Sequence, residues 1–292
     1  MSIYFLIFPK KYLKFICNLC IIILSVRYSI NKYISGHIAA VKDLIHLCSI
    51  IERIAKMKYN IAGIIVDMNV RFPRLTLQSE DYKCDEDIDA NIKIRLTPEF
   101  YEQKLTENPH LDYEMIEYIW MGSEFYNALI HFNGMLLHSS CVVYNNEAYL
   151  FSAPCGTGKS THTQLWLKRF DGAYILNDDK PAIRITENGV YAYGTPFSGK
   201  TNLNVNNGVP IKGICVLERD TYNHIEPISP DDALFSILNQ TVRPINEDDM
   251  DKMLSTLDKV LKSVPVYRLY CNMELDAPET AYNGMNKMAD DK

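Results

Sequence analysis

Between Ala153 and Ser160 the chain reads APCGTGKS. Glycine, lysine and serine at this spacing match the phosphate-binding loop pattern, with alanine at the first glycine position. Gly156 and Gly158 let backbone N–H groups turn inward around a phosphate. Lys159 can reach the outer phosphates and Ser160 offers a hydroxyl to Mg²⁺, while Thr157 and Thr161 complete the nucleotide-binding set. About twenty residues on, LNDDKP places Asp178 and Asp179 behind the apolar run AYIL. One acid can hold the metal, and the other can accept or orient the proton of an attacking hydroxyl, as phosphoryl transfer requires. The spacing leaves open which acid does which. These residues predict an ATP/Mg²⁺ site, with ATP and GTP undistinguished. A plain glycine-rich turn and a solvated acidic turn are the bland alternatives. The strand before the loop, the helix after it and the position of the acids at a strand's end favour the site.

The flanking sequence supplies the positioning elements. YLF reads as a strand into the loop, and a helix is expected over 160–170. Upstream, GMLLHSSCVVY and EAYLF flank Asn145-Asn146, which tolerates the positive φ of a tight hairpin turn. Downstream, PAIRITENGVYAYGTP reads as a second hairpin turning at Asn188-Gly189. Hairpins on both sides of the nucleotide elements imply a mixed sheet, unlike the parallel sheets built by right-handed crossovers. IAGIIVDMNV, NIKIRL, GICVLERD and VPVYRLYC read as strands, and SEDYKCDEDIDA as a solvated loop. DYEMIEYIWMGSEFYNALIHF has helical spacing, with Met115, Ile116, Ile119, Trp120, Phe125 and Leu129 as core residues. Ser229 and Pro230 open a capped helix. Another starts near Glu247 and presents Met250, Met253, Leu254, Leu257, Val260 and Leu261 on one face.

The 292 residues carry a net charge of −6, which gives no electrostatic case for nucleic acid. Eight cysteines scattered along the chain exclude a small disulfide scaffold and fit small apolar residues in a reducing cytoplasm. Cys17 and Cys20 form a lone C-x-x-C without a second pair at zinc spacing. Residues 1–56 hold eight Lys or Arg and two Asp or Glu, leaving 22 basic and 34 acidic residues for 57–292. Within that segment LKFICNLCIIILSV is apolar but short for a spanning helix. It can be a membrane-associated or helical extension or a signal peptide. If translation starts at Met57, it is no part of the native chain. Apart from an extension acting at a membrane, the expected location is cytoplasmic.

HSSCVVYNNEAYLFSAPCGTGKST together with AYILNDDKPAI resembles the HPr kinase/phosphorylase group, which shares its nucleotide-binding fold with ATP-dependent phosphoenolpyruvate carboxykinases. The likeness is to the uncharacterised bacterial branch described as carboxykinase-like or HPr-kinase-like. It spans about Met57 to Tyr282 and is most specific from His138 to Lys200. The resemblance implies an α/β fold of mixed, largely antiparallel sheets around the loop, with a 57–135 α+β portion and a 136–292 nucleotide-binding kinase core. It maps Lys159 and Ser160 onto phosphate and metal positions and Asp178 and Asp179 onto the acid pair. His138 maps onto a strand histidine near the transferred phosphate. YGTPFSGKTNLNVN also fits that branch, where Gly194, Gly199 and Lys200 suit a flexible loop bringing a cation to the phosphates or acceptor. Arg243 is a weaker candidate of that kind.

The long signature segment of true HPr kinases is not found after the nucleotide site, and the N-terminal part differs from their usual regulatory domain, so HPr as substrate is not implied. The chain also lacks an oxaloacetate-binding arginine set and the lysine–histidine metal pair of true carboxykinases. The expected function is an ATP/Mg²⁺-dependent kinase acting on a hydroxyl, with a serine of a peptide or small protein among the candidate acceptors and a homo-oligomer open. The alternatives are a nucleotide-responsive binding protein without transfer, and a reduced carboxykinase.

Overall fold

The structure is a computed structural model that describes residues 57–84 and 87–287. These belong to one compact unit, Ile54–Lys292. The readings of residues 1–56, including Cys17 and Cys20, lie outside the described residues.

The first elements are β1 (Lys58–Ile61), β2 (Ile64–Met68), α1 (Pro73–Gln78), β3 (Lys83–Cys84), β4 (Ile92–Ile94), α2 (Pro98–Glu107) and α3 (Tyr113–Leu129). The strands form a sheet in the order β3-β1-β2-β4. IAGIIVDMNV is therefore not one strand. Ala62 (φ 55°) and Gly63 (φ 73°) make a two-residue turn with left-handed backbone, and Ile61 pairs with Ile64 across it. Nor is SEDYKCDEDIDA all solvated loop: Tyr82 is fully buried, and Lys83–Cys84 pair with β1. Against this sheet α3 buries Ile116, Tyr118, Met121, Phe125, Tyr126 and Leu129, while Ile119 of the expected face is exposed.

Next come β5 (Gly134–Leu136), β6 (Ser139–Tyr144), β7 (Glu147–Ser152), α4 (Lys159–Arg169), β8 (Tyr174–Asn177), β9 (Ala182–Thr186) and β10 (Gly189–Tyr193). They are followed by β11 (Gly208–Arg219), β12 (His224–Ile228), α5 (Pro230–Leu238), α6 (Glu247–Ser263), β13 (Val266–Cys271) and α7 (Ala277–Lys287). The nine strands form one mixed sheet, β5-β9-β10-β11-β7-β6-β8, with β13 on β11 and β12 on β13. β7, β11 and β13 run parallel, and the other pairings in this sheet are antiparallel. The mixed, largely antiparallel α/β architecture expected from the hairpins is observed.

Side-chain alternation buries both faces of this sheet. Ala148 and Leu150 of β7 join a cluster containing Ala233 and Ile237 of α5 and Met253, Leu257 and Val260 of α6. Tyr149 and Phe151 point the other way, to Trp166 of α4 and Ala277, Ala281 and Met285 of α7. Leu254 of the expected α6 face is exposed. Ser229 and Asn246 cap α5 and α6 by accepting from Asp232 N at 3.1 Å and Asp249 N at 3.2 Å.

Three details differ from expectation. Asn145 (φ 52°) and Asn146 (φ 61°) do make the tight β6–β7 turn. GMLLHSSCVVY, however, is two strands. The chain leaves β9 after Leu136 and joins β7 and β8 from Ser139, so His138 sits in the break and not on a strand. The second hairpin turns at Glu187-Asn188, with Gly189 pairing with Thr186 as the first strand residue.

Candidate functional site

β6 is antiparallel to both β7 and β8, so β7 and β8 run in the same direction. The loop after β7 and the acids after β8 therefore emerge at one edge of the sheet, where β11 and β13 also end. C-terminal strand ends of this kind are where α/β sheets place ligands.

The loop leaves β7 at Ser152 and enters α4 at Lys159. Gly156 (φ 79°) and Gly158 (φ 120°) hold backbone that side chains disfavour. The Lys159 ammonium is buried and donates to the Ala153 carbonyl at 2.8 Å. Burial pushes its pKa down, against the pull of Cys155, Asp179 and Asp178. Ser160 is half-buried, and Thr161 is exposed at the start of α4. Cys155 is exposed in the loop, unlike buried Cys141, Cys215 and Cys271. From outside, Arg219 at the end of β11 donates Nε to the Thr157 carbonyl at 2.9 Å and Nη2 to the Gly156 carbonyl.

Asp178 is buried and doubly held. Ser140 Oγ donates to Oδ1 at 2.7 Å, and Thr201 Oγ1 donates to Oδ2 at 2.9 Å. Ser140 Oγ in turn accepts from Thr163 Oγ1 at 2.7 Å, its own proton being given to Asp178. A hydroxyl relay thus ties the acid to α4.

Asp179 is half-buried. His138 Nε2 lies 3.2 Å from Oδ1, and Lys180 Nζ pairs with Oδ2. Burial pushes this carboxyl up, but the His138 hydrogen bond and the Lys180 ammonium outweigh it and hold the pKa below the usual value. The other imidazole nitrogen, Nδ1, lies 2.9 Å from Gln240 Oε1, and His138 N donates to the Gln240 carbonyl at 2.7 Å. Whichever way the Gln240 amide is turned, Nε2–H donates to Asp179.

The structure thus brings His138, Asp178, Asp179 and the start of α4 together. It does not do so for two cations. Lys200 is exposed and makes no hydrogen bond or ion pair among the described residues. Arg243 is exposed as well. The segment around Lys200 is anchored on both sides. Phe197 is fully buried against Phe125 and Tyr126. Tyr118 OH accepts from Gly199 N at 2.8 Å, and Arg74 donates to the Gly199 carbonyl at 2.7 Å. A Cβ at Gly199 would lie 2.9 Å from that of Asp179, so the backbone itself backs onto the acid.

Two clefts flank Arg219. One of about 400 Å³ runs along Gly156, Gly158 and Thr161 to His162, Leu165 and Cys271. His162 is neutral: burial pushes its pKa down to about 3, and Trp166 Nε1 donates to its Nε2 at 3.1 Å. The other, about 520 Å³, lies between the loop, the end of β11 and the C-terminal end of α5.

Sequence reasoning missed Gln240, Lys180, Ser140, Thr201 and Arg219. Only Lys180, next to the acids in LNDDKP, carried a local signal. Among the described residues no group of three or more His, Cys, Asp or Glu is placed to hold a metal alone, and no helix is long and apolar enough to cross a membrane.

No family model matches the chain, and no curated protein does. Among solved structures, the Hpr(Ser) kinase/phosphatase from Coxiella burnetii is similar, with 12% identity over 53% of this chain and 98% of that chain. The TM-score is 0.31. A likeness of that size carries no argument about fold or chemistry.

Proposed function

We propose that the chain is an ATP/Mg²⁺-dependent phosphotransferase that phosphorylates a hydroxyl, with an HPr-kinase-like nucleotide-binding core. The observation that carries this is the placement of Asp179, oriented by His138 and Lys180, at the same sheet edge as the Gly156–Lys159 loop.

The donor half is the loop and the N-terminus of α4, whose N–H groups and dipole favour phosphate. Lys159 turns from the Ala153 carbonyl to the outer phosphates of the nucleotide, with Thr157 and Thr161 beside it. The residues present fit Mg²⁺, which takes one or two carboxylates together with water and substrate phosphates. Ser160 and Asp178 would hold it, since both offer oxygen and Asp178 is fixed by two hydroxyls. When bound, the ion neutralises charge on the phosphates.

Asp179 is the acceptor-side acid. Its lowered pKa keeps it ionised at neutral pH, so it accepts a hydrogen bond from the attacking hydroxyl and takes its proton. His138 fixes the carboxylate through Nε2–H. Lys200 belongs to the rim, at the segment whose backbone abuts Asp179.

Asp179→Asn tests this assignment. Label transfer from γ-labelled ATP should fall roughly 10²–10⁴-fold, with nucleotide affinity kept. Transfer at the wild-type rate would remove Asp179 from the chemistry.

A further inference from the structure

Resting on the phosphotransferase reading, we infer that Gln240 is a positioning residue: acting through His138, it fixes the direction of the Asp179 carboxylate that takes the acceptor's proton.

The backbone around His138 faces two ways. Leu137 N and Ser139 N turn toward the segment of the acid, donating to the Pro181 carbonyl at 3.5 Å and the Asp179 carbonyl at 3.1 Å. His138 N, between them, turns to the Gln240 carbonyl at 2.7 Å. Thr241 Oγ1 donates to the Leu136 carbonyl at 2.6 Å, and Ser152 Oγ to the His138 carbonyl at 3.1 Å. The break between β5 and β6 is thus clamped between the acid segment and the residues that follow α5. The imidazole spans the same gap, with Nδ1 at 2.9 Å from Gln240 Oε1 and Nε2 at 3.2 Å from Asp179 Oδ1.

The chemistry of the ring explains what Gln240 supplies. An ionised carboxylate only accepts hydrogen bonds, so the ring supports Asp179 only with a proton on Nε2. A ring protonated on Nδ1 alone turns a lone pair toward the carboxylate and repels it. Two states keep the Nε2 proton. The neutral one leaves Nδ1 bare and needs a donor there. The cation carries a proton on Nδ1 and needs an acceptor. A carboxamide serves either state by turning over, and adds no charge of its own. The amide nitrogen of Gln240 makes no hydrogen bond to other described residues, so nothing among them ties it to one orientation. An apolar side chain at this position leaves Nδ1 without a partner and frees the ring to turn from Asp179.

Gln240 also lines the cleft of about 520 Å³ beside Thr157 and Arg219, so the test reads nucleotide affinity apart from transfer. It compares the full chain, labelled with ¹⁵N-histidine, with Gln240→Met and Gln240→Glu. Methionine keeps the length and removes the hydrogen bond, and glutamate keeps an acceptor for Nδ1–H. The His138 nitrogen resonances, assigned by their loss in His138→Gln, should show Nε2 protonated in the wild type and in Gln240→Glu, and mixed tautomers in Gln240→Met. With γ-labelled ATP, Mg²⁺ and cell extract, transfer at saturating ATP should fall about 10- to 100-fold in Gln240→Met and return to within about threefold in Gln240→Glu, with ATP affinity unchanged in both. A wild-type ring protonated on Nδ1 alone, or a methionine variant matching the wild type in tautomer and transfer, overturns the inference while the phosphotransferase reading stands. A fall in ATP affinity that accounts for the whole loss of transfer does the same, because it places Gln240 with the loop. Label transferred by no form, the wild type included, overturns the phosphotransferase reading and this role with it.

Discussion

Arg219 makes two hydrogen bonds to successive carbonyls of the loop and lines both clefts. Holding the Gly156 and Thr157 carbonyls fixes the backbone of the loop from outside. A residue that shapes the loop in this way affects every phosphate equally. Arg219→Ala should therefore weaken ADP and ATP by the same factor, about tenfold or ~1.4 kcal/mol, the scale of a charge-assisted hydrogen bond. Titration of each nucleotide checks this, and a loss for ATP alone would make Arg219 a direct ligand of the outer phosphate. The residues legible in the sequence were those whose partners are local: the loop glycines, Lys159 and the acid pair. Arg219 and Gln240 were not legible, because each meets its partner across roughly sixty to a hundred residues and only strand pairing brings them in. Lys200 was singled out by type, but its exposed side chain makes no hydrogen bond or ion pair among the described residues.

At the scale of elements, α1 depends on α3. No side chain of its own caps α1. Glu117 instead accepts from Arg71 N at 2.8 Å and Phe72 N at 2.9 Å, and Glu114 accepts from Arg74 N at 2.8 Å. Through Arg74 and Gln78, α1 in turn holds the Gly199 carbonyl behind Asp179. Glu117→Ala leaves two N–H groups unpaired and should cost about 2–4 kcal/mol. Burial pushes the Glu117 pKa up from 4.5 to about 6, so the folded state binds the proton more tightly than the unfolded one. Wild-type stability should then fall by about 2 kcal/mol in all as pH rises from well below 4.5 to well above 6, a slope the variant lacks. Denaturant melts across that window check both, and equal slopes would contradict the assignment. Helix ends were readable where Ser229 and Asn246 cap locally. The β1–β2 hairpin was not, because Ala62 is an unusual residue for a left-handed turn. The break at His138 was hidden in a continuous β-rich run, since what ends β5 is its partner β9 and not a turn residue.

For the molecule as a whole, one mixed sheet carries the site. The hairpin Tyr144–Glu147 places β6 between β7 and β8 and so delivers the loop and the acids to one edge. The β6–β7 hairpin was legible in its Asn145-Asn146 turn; the pairing of β6 with β8 carried no turn signal. The clefts were not legible, because they form where α5 and the ends of β11 and β13 close over the loop. The central claim is that this edge transfers a phosphoryl group and does more than hold a nucleotide. Incubating the wild-type protein and Lys159→Ala with γ-labelled ATP, Mg²⁺ and cell extract tests it most directly. The account predicts label covalently on an acceptor with the wild type and at least a ~100-fold loss in the variant. Unimpaired turnover in Lys159→Ala, or tight ATP binding by the wild type with neither transfer nor hydrolysis, would contradict it.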